Sequence, residues 1–333
     1  MLSNTNGPGI KDIEDISSAN RINPQLKIAV INGGDSAEAE VSRVSAKGVI
    51  AALLTRYENV RSMELNRDLA SALIEFAPEV VFPILHGPPG EDGTLQGLLE
   101  IMAYPYVGSG VQASSNAMDK VIAKQIFSDA GLPLARQQVI RQPCDAAQSV
   151  ATITDALGNY VVVKPVTQGS ALGVTLVSNQ NELHDALELA FQLDDRLLIE
   201  ERIDGREITV GVIDTDAGPE PFPVIEIVTG EDAWYDFEHR YTQGLSEHLM
   251  PADLPEAQTL RLQQIAVSAH VALGCRDLSR ADFVVGNDNE EYLLEVNTLP
   301  GMTPTSLYPD GAVGYGLSFE ALVSYFAERA AAR

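Results

Sequence analysis

Two stretches near the C-terminal end gather side chains that could do chemistry. RADF places Arg280 and Asp282 two apart, and EVNTLPGMTPTS places Glu295 and Asn297 two apart before a loop with Gly301 and Ser306. Both stretches lie in strand-like runs, SRADFVVG and EYLLEVNT, separated by NDNE, which has good turn chemistry. A hairpin centred between Asp288 and Asn289 sets Asp282 opposite Glu295 and Arg280 opposite Asn297. Alternate side chains of a strand share a face, so these four crowd one patch. Opposed carboxylates repel unless a cation sits between them, and oxygen-only ligands of this kind suit Mg²⁺. The plainer alternative is a solvated hairpin face with coincidental acids. The apolar neighbours in FVV and LL point to a covered sheet and favour the metal site.

The glycine-rich KPVTQGSALGV is the next candidate. Lys164 ends an apolar strand, and Gly169, Ser170 and Gly173 let backbone N–H groups come close to a ligand. The order GxxxxGK[ST] is absent, and the segment returns as a strand, so it is not a Walker-type loop. It reads either as a flap over phosphates or as an ordinary glycine hairpin. VGSGVQAS carries Gly108, Gly110 and Ala113 in a G-x-G-x-x-A spacing, but at a domain junction late in an α/β unit. A dinucleotide fingerprint belongs inside one βαβ unit, so this one is a decoy. Glu38 follows two glycines at a helix start, and His86 ends a strand. Loops at strand ends of an α/β layer are favoured ligand positions. Singly, each is as well explained as a helix-terminal charge or a local cap.

The elements that must position these groups follow from the apolar pattern. LKIAVINGG and EVVFPIL are buried-strand runs, each followed by a glycine turn and a segment of helical period. That alternation argues for an N-terminal parallel α/β layer. The reading is a polar tail over 1–24, a first α/β domain over 25–110, a small central α+β unit over 111–205 and a third domain over 206–333. The third domain should hold a helix over Glu256–Leu273, two strands and a closing helix.

The chain has 22 basic and 47 acidic residues and a formal charge of −25, which argues against nucleic acid or an anionic membrane as partner. The first 25 residues lack the apolar core of a signal peptide, and no run approaches the roughly 20 apolar residues of a membrane span. Cys144 and Cys275 have no metal-type spacing and read as free thiols of a reducing compartment. The expectation is a cytoplasmic protein.

Taken together, GGDSAEAEVS, HGPPGEDGTLQGLLE, PYVGSGVQAS with MDK after it, VVKPVTQGSALGV, LIEERIDGREITV, YDFEHRY and LLEVNTLPGMTPTSL follow the order found in D-alanine–D-alanine ligases. The resemblance covers about residues 26–330 and implies the three-domain ATP-grasp fold, an α/β (α+β) architecture with ATP held between the central and C-terminal domains. It also implies the reaction: an acyl phosphate made from ATP and one D-alanine, attacked by the amine of a second, for peptidoglycan precursors. Carried over by motif, Asp282, Glu295 and Asn297 would hold two Mg²⁺ ions, with Mn²⁺ as a substitute. Lys120 and Lys164 would touch the phosphates beneath the Gly169–Gly173 flap. Glu200, Glu201 and Ile203 would meet adenine, and Glu207 the ribose. Arg280 and the Gly301 N–H would stabilise the tetrahedral intermediate. Glu38, Ser170 and Tyr241 would form a triad at the first substrate, with His86 lining the pocket and Arg240 near the acceptor. Ser306 and the Leu307 amide would hold the second carboxylate, and the protein would be a homodimer.

Several positions depart from the family's usual pattern. Gln168 and Ala171 stand in the flap for Glu and Ser, Pro89 for glycine, and Arg240 for lysine. Glu201 and Arg202 stand where Lys and an aromatic are common. Three rival readings follow: a paralogous ligase for other amino acids, a nucleotide-binding regulator without catalysis, and a dehydrogenase resting on the Gly108 motif.

Overall fold

The computed structural model describes residues 23–36, 38–230, 242, 244–303 and 306–333. Strand β1 (Lys27–Asn32) lies between β2 (Asn59–Glu64) and β3 (Val80–Pro83), all parallel. β1 is buried from Ile28 to Asn32, as a central parallel strand covered on both faces must be. The edge strand β2 is mostly polar and partly exposed, which is why its apolar pattern is weak. A second, antiparallel sheet runs β4 (Gln137–Arg141), β7 (Arg196–Glu201), β5 (Val161–Pro165), β6 (Thr175–Val177). Ile153, Leu157, Leu183 and Leu187, from helices Ala146–Leu157 and Gln180–Ala190, pack with its Val161, Val163 and Ile199.

The third sheet runs β11 (Ser246–Leu249), β10 (Ile225–Thr229), β8 (Gly205–Thr215), β12 (Leu278–Gly286), β13 (Glu291–Asn297), with β9 (Gly218–Pro221) on β8. Helix Glu256–Leu273 has the bounds read from the sequence, because Gly274 at φ 72° supplies the left-handed stop. One helix was not legible: Leu307–Tyr315 contains Pro309 in its first turn, where proline is tolerated, and two glycines that blur its period.

Two helices cross the spans drawn from the sequence. Lys120–Asp129 packs Ala123 and Phe127 into the core of the third sheet, although 111–205 assigned it to the central unit. The closing helix Phe319–Ala331 packs Leu322, Val323, Phe326 and Ala330 with Ile28, Val30 and Phe82 of the first sheet. An apolar stripe declares that a helix is buried, but not which sheet it meets.

The β12–β13 hairpin pairs Arg280 with Asn297 and Asp282 with Glu295 as expected, but its turn centres on Asp288 and not between Asp288 and Asn289. Toward the turn the register shifts, so Phe283 faces Leu293 and Leu294 is the extra residue of a bulge. Asn289, at φ 64°, takes the left-handed turn position. The bulge puts consecutive residues, Leu294 and Glu295, on the same cleft wall.

Candidate active site

A cavity of about 510 Å³ opens between the second and third sheets. Lys120 and Lys164 line one side, Glu200, Ile203 and Glu207 the strand between, and Glu295 the far wall. Lys120 starts its helix because Asp119 caps it, its Oδ1 accepting from the N–H groups of Val121 and Ile122.

At the far wall Asp282 is 8% exposed and fully engaged. Its Oδ1 accepts from Arg280 Nε at 2.8 Å and Thr209 Oγ1 at 2.6 Å. Its Oδ2 accepts from Arg280 Nη2 at 2.7 Å and Asn297 Nδ2 at 3.0 Å. Glu295 Oε2 lies 3.9 Å from Lys120 Nζ. The positive charge that two opposed carboxylates demand is thus supplied on both sides. Asn297 spends its N–H on Asp282 and keeps its carbonyl oxygen for another partner. Among the described residues no cluster of three or more His, Cys, Asp or Glu forms a closed metal cage. Two carboxylates and one amide oxygen instead make a half-shell of hard donors. That fits Mg²⁺ sharing its remaining positions with phosphates and water.

The cleft floor holds a charge cluster that sequence reasoning saw only in part. Glu200 is 2% exposed, and its two oxygens each lie 2.6 Å from a lysine, Oε1 from Lys124 and Oε2 from Lys164. Burial pushes its pKa up, but the two ammonium groups outweigh burial and hold it at about 2. Lys124 was missed. Its one signal is a lysine within VIAKQIF, four residues after Lys120 and so on the same helix face. Glu201 is turned to Arg136, whose Nε and Nη2 donate to it at 2.8 and 2.9 Å. Arg202 donates to Asp204 at 2.9 Å and sits 5.3 Å from the Tyr160 ring centre. Both departures from the usual pattern are therefore satisfied by neighbours on the rim.

Above the cleft, Glu38 occupies the N-cap position of helix Ala39–Leu53 but makes no capping bond. Its carboxylate accepts from Ser170 instead, tying the flap to the first sheet. Ser170 and Ala171 are held at φ 46° and 59°, a left-handed backbone that side chains other than glycine adopt at a cost. A Cβ at Gly169 would sit 3.2 Å from Glu38 Oε2, so the close approach favours glycine. Lys120 Nζ donates to the Gln168 carbonyl at 2.5 Å, holding the flap from below. His86 is 8% exposed, and among the described residues its Nε2 has no partner. Burial lowers its pKa, so the ring is neutral and presents one open nitrogen.

Glu91, also missed, accepts from the Gly87 N–H at 2.6 Å. Burial, and then the nearby Glu38 charge, push its pKa from 4.5 up to about 8. Between those values the folded protein keeps a proton that the unfolded chain has released, so this group's contribution to stability falls as pH rises through the window. Glu91→Gln should therefore match the parent near about pH 4 and melt higher than it at about pH 9. Equal melting temperatures at the higher pH would show that the fold does not raise the Glu91 pKa.

Ser306 precedes helix Leu307–Tyr315, and its Oγ accepts from the Thr303 N–H at 2.9 Å. A Cβ at Gly301 would lie 2.8 Å from that oxygen, so a side chain there would displace the Ser306 hydroxyl. Leu307 opens the helix, and N–H groups at a helix start suit a carboxylate. Arg240 and Tyr241 lie outside the described residues. The Gly108 N–H, at the decoy motif, donates to Asp277 Oδ2 at 2.8 Å and is not available to a phosphate. A second decoy, invisible in the sequence, joins Ser279 Oγ to His270 Nδ1 at 2.8 Å and His270 Nε2 to Asp214 at 3.2 Å. Ser279 has no exposed surface, so this Ser–His–Asp arrangement is a strut rather than a nucleophile.

A family model described as the D-ala D-ala ligase C-terminus matches residues 126–328, and its N-terminal counterpart matches residues 59–109. The chain belongs to the D-alanine–D-alanine ligase family. A family relative from Halalkalibacterium halodurans, named D-alanine–D-alanine ligase, is 45% identical across 90% of this chain and 98% of its own. Among solved structures, the ligase of Bacillus anthracis complexed with ATP aligns with a TM-score of 0.78 at 32% identity, covering 92% and 98% of the two chains. VanG D-Ala:D-Ser ligase from Enterococcus faecalis aligns with a TM-score of 0.78 at 30% identity, covering 92% and 99%. The family's ATP-grasp architecture, with a parallel sheet at its N-terminal end, is the one described above.

Proposed function

We propose that this protein joins two D-alanines into D-alanyl-D-alanine using ATP, as a cytoplasmic and homodimeric enzyme supplying peptidoglycan precursors. The observation that carries the reading is a single cleft with phosphate-suited groups on its floor and amino-acid-suited groups above. Lys120, Lys164 and Glu295 border the cavity, and Asp282 stands opposite Glu295 on the neighbouring strand. Arg280 lies beside that pair, and Glu38 with Ser170 closes the flap over it.

The first D-alanine enters with its ammonium at Glu38 and its carboxylate toward the γ-phosphate. A carboxylate oxygen attacks phosphorus, and ADP leaves. Asp282, Glu295 and Asn297 would hold Mg²⁺, which would neutralise the phosphate charge. The second D-alanine docks its carboxylate on Ser306 and the Leu307 N–H, loses a proton, and attacks the acyl carbonyl. Arg280 and the Gly301 N–H hold the oxyanion that develops there, and phosphate departs. The flap, pinned by Ser170 and Lys120, excludes water from the acyl phosphate meanwhile.

A paralogous ligase with another acceptor is the second reading, favoured by Gln168 and Ala171 in the flap and by the fold shared with a D-Ala:D-Ser ligase. Phosphate release with ATP, Mg²⁺ and a panel of amino acids separates the two. D-alanine alone should support turnover, with D-alanyl-D-alanine as the chromatographed product. Little ester should form from D-lactate near neutral pH. Turnover requiring a different second amino acid would transfer the assignment to the paralogue, and absence of turnover with every amino acid would favour the regulator.

A further inference from the structure

We propose that Lys124 sets the nucleobase preference of the cleft by keeping Glu200 a charged hydrogen-bond acceptor. This rests on the reading above that Glu200 faces the base of the nucleotide. Lys124, a buried residue, reaches the cleft floor from beneath. Its Nζ lies 2.6 Å from Glu200 Oε1 and donates to the Leu293 carbonyl at 2.9 Å. Leu293 immediately precedes the bulge residue Leu294, so one ammonium fixes both the acceptor and the wall beside it. Lys164 holds the other Glu200 oxygen at 2.6 Å, but its side chain is 14% exposed against 2% for Lys124. Lys164 is thus the partner that phosphate can compete for, and Lys124 the sealed one.

The chemistry of the acceptor follows from its charge. An ionised carboxylate only accepts hydrogen bonds, whereas a protonated carboxyl also donates. A 6-aminopurine offers an N–H at this edge, and a 6-oxopurine offers an oxygen. Charged Glu200 therefore favours the amino base and repels the oxo base. Besides Lys124 and Lys164, Lys120 and Glu295 face each other at 3.9 Å, and Glu201, Arg202, Asp204, Arg206, Glu207 and Glu226 also line the cleft. Removing Lys124 leaves a buried carboxylate with one exposed-side partner, and burial then favours the neutral form. A neutral Glu200 pairs with either base.

The test compares kcat/KM for ATP and for inosine triphosphate in the parent, Lys124→Met, Lys124→Gln and Glu200→Gln, by phosphate release with D-alanine. The parent should prefer ATP by roughly tenfold or more, the worth of one charge-assisted hydrogen bond. Both Lys124 variants should lose most of that preference, chiefly through the KM for ATP, with the KM for D-alanine unchanged. Glutamine retains a donor for the Leu293 carbonyl but no charge. A Lys124→Gln enzyme with the parental ratio would therefore overturn the proposal, and it decides the matter even where Lys124→Met fails to fold. The Glu200→Gln variant separates the two layers. If its ratio is parental, Glu200 does not face the base and the premise falls. If its ratio collapses while the Lys124 variants keep theirs, the role of Lys124 alone falls.

Discussion

Replacing Arg280 by alanine lowers kcat by about two to three orders of magnitude, the usual loss when one oxyanion donor is removed. In the proposed mechanism the charge Arg280 would meet on the substrate develops only as the amine attacks, so its loss should be felt at saturation. Its ground-state duty is different. The guanidinium forks onto both oxygens of Asp282 at 2.8 and 2.7 Å. Without it, Asp282 keeps the Thr209 hydroxyl and the Asn297 amide as partners and stands with an uncompensated charge. That charge attracts cations, so the apparent Mg²⁺ affinity should not fall, and ATP affinity should be nearly preserved. Arg280→Lys restores charge but not the fork, and should recover only part of kcat. Steady-state kinetics at varied ATP and Mg²⁺ give the answer. A large loss of ATP affinity with normal saturated turnover would contradict the role.

Glu295→Gln should reduce Mg²⁺-supported turnover by about two orders of magnitude or more, because the cation loses one of two carboxylates that neutralise phosphate charge. The same substitution should raise the melting temperature of the nucleotide-free protein slightly. It relieves the repulsion across the Asp282–Glu295 pair, and the gain is small because Lys120, 3.9 Å away, already offsets part of it. The two readouts have opposite signs, which a general loss of fold cannot mimic. Phosphate release against a Mg²⁺ series, with melting curves in chelator, measures both. An unaltered Mg²⁺ requirement would remove Glu295 from the metal site.

Asp282, Glu295, Arg280 and Asn297 fall opposite one another as read, although the turn centres on Asp288 and the bulge makes up the offset; the hairpin itself was legible from its turn residues and alternation. The bulge at Leu294 was not, since an inserted residue leaves the apolar pattern intact on each side of it. Glu38 was ambiguous in the sequence, as a helix-start acid usually serves the helix. Its partner lies 132 residues away on Ser170, and only the tertiary fold shows it. Lys124 and Glu91 escaped for a shared reason. A buried ion's meaning lies in what surrounds it, and helix Lys120–Asp129 gives no hint that it roofs a carboxylate from another sheet. The β2 edge strand and helix Leu307–Tyr315 were missed where polar residues or glycines dilute periodicity.

The single inserted residue on β13 makes that strand two reading frames spliced end to end. Leu294 on one side of the splice and Glu295 on the other both line the cleft, with Leu293 and Val296 turned to the core. Positions on the two sides of the bulge are thereby in different phase. Evolution can vary either set by substitution without disturbing the other. A one-residue deletion anywhere between them would rotate one set into the core, so this strand tolerates a change of residue identity better than a change of length.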